Sequence, residues 1–358
     1  MPDMPTNLPP LYAPFPYAIH DAADHVEKGT VEFLDRFQLY WDDAQRTRMV
    51  EIRNGYLAAM QAPEGPVDRL QCLADFCTWA FAWDDEYCDE RPIAHRPGDY
   101  AVANARLQRA IEIAEYPLDP TDRYGAALHD IRIRLDACAD PGAGEDFTDW
   151  VLAYLRTEIR RVTLAAAGLR EDPSAYVHTR LVSGGGMVFP RLSATVTCGS
   201  VPGSYRTDRR VRALTEMSAL LVDVENDVFS LPKELERNLD GKMENLVILL
   251  STEQGIPVSQ ALDEVVSLVH RTAGLYMRLH DNLLSDAPAE LARYVRSIDS
   301  YWNGCNRWQR DSPRYLHRDG PDGDVQPREL TETLTGASTG APPLPHIAWW
   351  WEYDPARG

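Results

Sequence analysis

A chain of 358 residues with 44% hydrophobic and 25% charged residues is large enough for a sizeable core and has the composition of a soluble globular protein, not of a disordered or fibrous one. Its formal net charge of −19 excludes the Lys/Arg excess that nucleic acid or an anionic membrane surface requires, so an anionic substrate would need a local cluster of donors. The cysteines Cys72, Cys77, Cys88, Cys138, Cys198 and Cys305 show no C-x-x-C spacing and read as reduced, buried thiols, not as a zinc site or disulfide framework.

Residues 1–19 read as an extended arm, with six prolines in the first 18 positions and neither the basic n-region nor the continuous apolar h-region of a leader. No stretch approaches the roughly 18 apolar residues that span a bilayer, so a cytoplasmic location is expected. Helical periodicity then predicts helices, some of them broken, over 21–60, 68–90, 100–115, 121–139, 145–168, 173–183, 206–236, 242–253, 257–284 and 287–309. Asp172 before Pro173 predicts an N-cap followed by proline at the first helical position, and Asp146 after the turn PGAG predicts another cap. No run alternates with period two, so residues 20–318 are expected to form a single all-α domain. Residues 319–358 read as a Gly/Pro-rich tail ending in three consecutive tryptophans. Those rings either dock back on the body or mark a contact with another chain, which leaves a homodimer open.

Two acidic motifs interrupt the helical pattern. FAWDDEYCDE, residues 81–90, places Asp84, Asp85, Glu86, Asp89 and Glu90 directly after Phe76, Trp79, Phe81 and Trp83. In NDVFSLPKE, residues 226–234, a helical advance of about 100° per residue puts Asn226, Ser230 and Glu234 within a sector of roughly 80°. Leu214, Met217, Leu221, Val224, Val228 and Leu231 point the opposite way, so one stripe packs and the other presents three oxygen donors. An amide carbonyl, a hydroxyl and a carboxylate suit a hard divalent cation such as Mg²⁺, although three polar residues on one face also fit a solvated surface. Pro232 is expected to kink the helix and shift Glu234 in phase.

Taken together, the motifs resemble those of bacterial class I terpene synthases (terpene cyclases). The pattern D-D-x-x-x-D/E is matched by Asp84, Asp85 and Asp89, and N-D-x-x-S-x-x-K-E by Asn226, Asp227, Ser230, Lys233 and Glu234. Arg180 lies 46 residues before Asn226, at the usual place of a diphosphate-sensing arginine, and the pair Arg314–Tyr315 follows the last long helix. The resemblance implies an all-α class I terpenoid synthase bundle around a central apolar cavity, three Mg²⁺ ions and a prenyl diphosphate substrate. It further implies that Asp84 bridges two ions, that Asp85 and Asp89 assist, and that Asn226, Ser230 and Glu234 hold the third. Arg180, Lys233, Arg314 and Tyr315 then match donors to the diphosphate. In the family a helix breaks just after the sensor arginine, and a backbone carbonyl there addresses the reacting carbons through an acidic linker. Here SGGG follows, with Gly184 at the carbonyl position and Ser183 where the linker carboxylate is usual, a departure from the pattern.

The implied reaction removes diphosphate from an allylic carbon and cyclises the carbocation, which aromatic faces stabilise. Phe81 and Trp308 are the candidate pocket rings; Phe76, Trp79, Trp83 and Trp302 suit core packing better, and Glu86 and Glu90 are expected to meet solvent. Farnesyl diphosphate is the favoured substrate, with the geranyl and geranylgeranyl homologues as alternatives. A prenyl diphosphate synthase is a weaker reading because it carries a second aspartate-rich motif where this chain has NDVFSLPKE. A helical scaffold with acidic surface clusters is the non-enzyme alternative.

Overall fold

The computed structural model describes residues 8–89, 91, 93, 96–113, 119, 121–237, 245–316, 325–334 and 339–357. In chain order its helices are α1 (Ala23–Phe37), α2 (Asp43–Glu51), α3 (Asn54–Gln61), α4 (Val67–Trp83), α5 (Pro97–Glu112), α6 (Arg123–Cys138), α7 (Ala143–Ala166) and α8 (Pro173–Arg180). They continue as α9 (Val188–Cys198), α10 (Gly203–Thr207), α11 (Arg209–Arg237), α12 (Leu246–Gln254), α13 (Val258–Leu284), α14 (Ala289–Asp311), α15 (Pro313–Leu316) and α16 (Pro345–Ala348). Two-residue strands β1 (Leu11–Tyr12) and β2 (Leu330–Thr331) pair in parallel. No helix among the described residues is long and apolar enough to cross a membrane.

Most expected helices are present, with instructive shifts. The predicted 21–60 segment is three helices, because Gln38 and Arg53 adopt positive φ and interrupt the ladder. Asp172 caps α8 as expected, accepting from the Ser174 and Ala175 amides. Asp146 is not a cap: Gly142 occupies that position and Asp146 sits in the first turn of α7, where its charge favours the helix N-terminus. α11 continues through Pro232, so the proline does not end the helix. α9 was not expected, since VFPRLSATVTC combines β-branched residues with a proline and follows a glycine run; its burial decides the matter.

The contacts divide the chain into two compact units, one of Ala18–Leu169 with Met187–Val201, the other of Met1–Tyr17, Arg170–Gly186 and Pro202–Gly358. In the first, α4 packs against α1, α3, α6 and α9. It is buried around most of its circumference, from Leu70 to Trp83, as expected of a helix at the centre of a core. Its one buried acid, Asp75, is held by Arg134 at 2.7 Å and Gln71 at 2.9 Å. Phe76 stacks on Trp79, and Trp79 on Trp83, while the Trp79 Nε1–H donates to the Tyr124 carbonyl. These three rings are core, as the sequence suggested.

In the second unit α11 packs against α13 and α14. The N-terminal arm lies over α14: Phe15 meets Trp302 edge-on at 5.7 Å, and Asn303 and Arg307 donate to the Pro16 and Phe15 carbonyls. Trp302 is therefore core too. The tail's tryptophans dock back on the same unit, with Trp350 and Trp351 fully buried and Trp350 Nε1–H donating to Glu216 at 3.0 Å. A bidentate Arg278–Asp354 pair fastens the following turn.

Candidate active site

Immediately after α4 the backbone changes from α to π geometry over Asp84–Asp89. A π turn bonds residue i to i+5, so the α-helical phase assumed for this motif does not hold. Asp84 is partly exposed and Asp85 is buried at 4% exposure. The side chain of Asp89, and all of Glu90, lie outside the described residues. Glu86 corrects an expectation: it does not face water but is largely buried, accepting from Tyr124 Oη–H at 2.8 Å and pairing with Arg123. That pairing anchors the motif to α6. On the other flank Arg161 of α7 donates to Asp84 at 3.3 Å and to Glu158 at 2.7 Å. Trp83 stacks on Tyr87 at 3.9 Å, and Phe81 is partly exposed.

In the other unit α11 carries Asn226, Ser230, Lys233 and Glu234. Arg180, the last residue of α8, is the hub of this cluster. Its guanidinium donates to Asn226 Oδ1 at 2.9 Å and pairs with Asp227 at 3.0 Å. The Asn226 amide in turn donates to the Tyr315 hydroxyl at 2.7 Å, and Trp308 meets Tyr315 edge-on. Arg180, Asn226 and Tyr315 are thus joined side chain to side chain. Lys233 and Arg314 are both partly buried, on α11 and α15.

Asp227 has a different task from its neighbours. Only 2% exposed, it accepts from Tyr176 Oη–H at 2.9 Å and from the Leu246 amide at 3.1 Å besides pairing with Arg180. It therefore ties together α8, α11 and the start of α12. Asn245 completes the tie: its amide donates to Glu234 and to the Asp227 carbonyl, both at 2.7 Å, while its own oxygen caps α12. Neither Asn245 nor Tyr176 was singled out from sequence. Tyr176 lies one helical turn before Arg180, a signal that could have found it; Asn245 offered none.

Burial shapes the electrostatics here. Burial alone would lower the Arg180 pKa, but Asp227 and then Tyr176 and Asp223 hold it well above the usual arginine value. Burial drives the Asp223 carboxyl well upward against the pull of Arg180, and raises Asp227 in the same way. For Glu234, burial first and the Asp227 charge second push the carboxyl up to about 7.

The glycines after Arg180 form a 3₁₀ turn, Ser183–Gly185, with positive φ at Gly184 (66°) and Gly185 (79°). A Cβ on Gly184 would lie 2.9 Å from the Arg180 guanidinium, and one on Gly186 only 2.5 Å from an Asp223 carboxylate oxygen and 2.6 Å from the Leu181 carbonyl. Glycine is required for conformation at the first position and for space at the last. Gly186→Ala is therefore expected to destabilise the protein by about 1–3 kcal/mol, read as a lower urea midpoint with unchanged slope.

Oxygen-binding cations fit the residues on α11. Ser230 is buried beside Glu234, and its hydroxyl works with Asn245 against the burial and Asp227 charge that push the Glu234 carboxyl up to about 7. A hydroxyl, a carboxylate and an amide oxygen are the donor set of a hard cation, whose charge would also offset the cost of ionising Glu234. Asn226, Ser230 and Glu234 would be its holders.

The model for terpene synthase family 2, C-terminal metal binding, matches residues 75–273, more than half of the chain. The chain belongs to the terpene synthase family. This terpene synthase is 33% identical over 347 residues, 96% of each chain, to a (+)-(1(10)E,4E,6S,7R)-germacradien-6-ol synthase of Streptomyces pratensis. It is 30% identical over 350 residues to the (+)-T-muurolol synthase ((2E,6E)-farnesyl diphosphate cyclizing) of Streptomyces clavuligerus, covering 95% of this chain and 81% of that one. Among solved structures it resembles the SVS_A2 protein from ancestral sequence reconstruction, with a TM-score of 0.85, 28% identity and coverage of 97% of this chain and 99% of that one. The terpene synthase has the class I all-α fold and is a terpene cyclase, a carbon–oxygen lyase acting on phosphates, with a metal-binding domain.

Proposed function

We propose that this terpene cyclase ionises farnesyl diphosphate in a Mg²⁺-dependent reaction and closes the carbocation to a cyclic hydrocarbon or alcohol. The observation that carries the reading is the joined cluster Arg180–Asn226–Tyr315 beside Ser230 and Glu234, which combines oxygen donors for a cation with N–H and O–H donors for a phosphate. The relative whose name specifies farnesyl diphosphate supports the fifteen-carbon substrate.

In this reading Asp84 would be the principal metal carboxylate with Asp85 and Asp89 assisting, and Asn226, Ser230 and Glu234 would hold a further ion. Bound Mg²⁺ supplies charge that stabilises the departing diphosphate. Arg180, Lys233, Arg314 and Tyr315 donate to the diphosphate oxygens as negative charge grows on them. The Gly184 carbonyl addresses the allylic carbons, and Phe81 and Trp308 line the hydrocarbon pocket and keep water from the cation. The test is incubation of the purified protein with geranyl, farnesyl and geranylgeranyl diphosphates, measuring diphosphate release and extracting the products for gas chromatography. Farnesyl diphosphate is expected to be consumed fastest, with turnover lost on chelation. No release from any of the three overturns the proposal.

Glu234 makes ion binding pH-dependent. Its folded pKa is raised from 4.5 to about 7, so in the metal-free protein its contribution to stability is full below about pH 4.5 and is lost as pH rises toward 7. Binding a cation displaces that proton, so Mg²⁺ affinity is expected to rise about tenfold per pH unit up to about pH 7 and then level off. Calorimetric titration at pH 6 and 8 checks the sign, and Glu234→Gln is expected to flatten the dependence.

A further inference from the structure

Beside the oxygen donors of the aspartate-rich motif lies a sulfur that neither the family motif nor the proposed reaction uses. Cys88 occupies the same π turn as Asp84, four residues on, and both meet Glu158 of α7. One carboxylate oxygen from each acid and Cys88 Sγ all lie within 4.8 Å of one another. Cys88 is 7% exposed and Glu158 only 1%.

The second observation is an incomplete bonding pattern. Glu158 Oε2 accepts from Arg161 at 2.7 Å, but Glu158 Oε1 is buried with no hydrogen-bond partner. A buried carboxylate oxygen left in this state is costly, and a bound cation is the direct remedy. Arg161 bridges Asp84 and Glu158 and so holds the two acids together beside Cys88.

We infer that Asp84, Cys88 and Glu158 form a binding site for a thiophilic divalent cation such as Zn²⁺ or Cd²⁺, distinct in chemistry from the all-oxygen sites proposed for Mg²⁺. Hard ions favour oxygen alone, whereas one thiolate with two carboxylates and an open fourth position suits tetrahedral Zn²⁺. Zn–O and Zn–S bonds of about 2.0 and 2.3 Å set neighbouring donors roughly 3.3–3.5 Å apart, so the three atoms, now within 4.8 Å of one another, would draw together on binding. On binding, the ion forms its bond to sulfur as the thiol proton passes to buffer; nothing is oxidised or reduced. Because Asp84 is partly exposed, it gives the ion a route in from solvent. Occupation would also withdraw Asp84 from Mg²⁺ and so inhibit turnover, a consequence that rests on the proposed function, whereas the binding itself does not.

The experiment is a Cd²⁺ titration of the full-length reduced protein in chelator-treated buffer, following the ultraviolet thiolate-to-cadmium charge-transfer band. A saturable band at one equivalent is expected in the wild type. It should be absent at one equivalent in Cys88→Ser, and the apparent affinity should fall about tenfold or more in Glu158→Gln. Circular dichroism establishes that each variant is folded; if Glu158→Gln is not, Cys88→Ser and Asp84→Asn decide. The inference is overturned if the wild type shows no saturable band, or if Cys88→Ser leaves the band intact and so assigns it to another cysteine. In a separate arm, Zn²⁺ added to the Mg²⁺-supplemented enzyme is expected to suppress diphosphate release, less so in Cys88→Ser. A cadmium band without that inhibition would preserve the site and count against Asp84 as a Mg²⁺ ligand.

Discussion

Asn226→Ala is expected to lower Mg²⁺-dependent diphosphate release by a factor on the order of 10²–10³, the scale seen when one oriented donor is removed from a site of developing charge. The side chain is used at both ends: its carbonyl accepts from Arg180 and its amide donates to Tyr315. Truncation therefore removes an oxygen proposed for a metal ion and also frees two proposed diphosphate donors from their common anchor. The helical signal should be unchanged, since Asn226 contributes no cap and little buried apolar area. Asn226→Asp separates the effects, because it retains an oxygen for Arg180 and the ion but loses the N–H donated to Tyr315. Recovery of most activity in that variant would place the weight on the oxygen. Near-wild-type release by Asn226→Ala would remove the residue from the site.

Asp227→Ala is expected to act on stability first. It would leave the largely buried Arg180 guanidinium without its ion-pair partner and deprive the Tyr176 hydroxyl and Leu246 amide of their acceptor. Breaking a buried pair from one side costs about 3–5 kcal/mol, so the variant should unfold at markedly lower urea concentration. Asp227→Asn keeps the shape and one acceptor oxygen, and its loss should be smaller. Equal stability of wild type and Asp227→Ala would show that the network carries little energy.

The adjacent residues Asn226 and Asp227 mark what a single sequence reveals and what it hides. Asn226, Ser230 and Glu234 could be grouped from helical phase because all three lie on α11, which runs on through Pro232. The break after Arg180 was equally legible, since consecutive glycines have a local meaning. Asp227 was not: its three partners come from α8 and α12, and no pattern within α11 announces them. Glu86 failed for the same reason. On a surface helix it would be solvated, but Arg123 and Tyr124, 37 and 38 positions away, claim it. The π turn was beyond reach as well, because a one-residue shift in hydrogen bonding is decided by such distant contacts and not by propensity. Trp350 and Trp351 were recognised as rings that must be covered; only the fold chose their own chain over a partner.

The parallel pairing of Leu11–Tyr12 with Leu330–Thr331 sets an order of events during synthesis. The unit of Ala18–Leu169 with Met187–Val201 has all its sequence available once residue 201 has left the ribosome. The arm ahead of it has been made by then, yet its strand partner and the residues that hold Pro9, Phe15 and Pro16 are still to come. One half of the protein can therefore condense early, as domains emerging first generally do, while the proline-rich arm waits. The half that carries Arg180 and Asn226 closes only once residues 330 and 331 have been made, so a ribosome stalling beyond residue 201 but before residue 330 would release a chain with its aspartate-rich half complete and its other half without a latch.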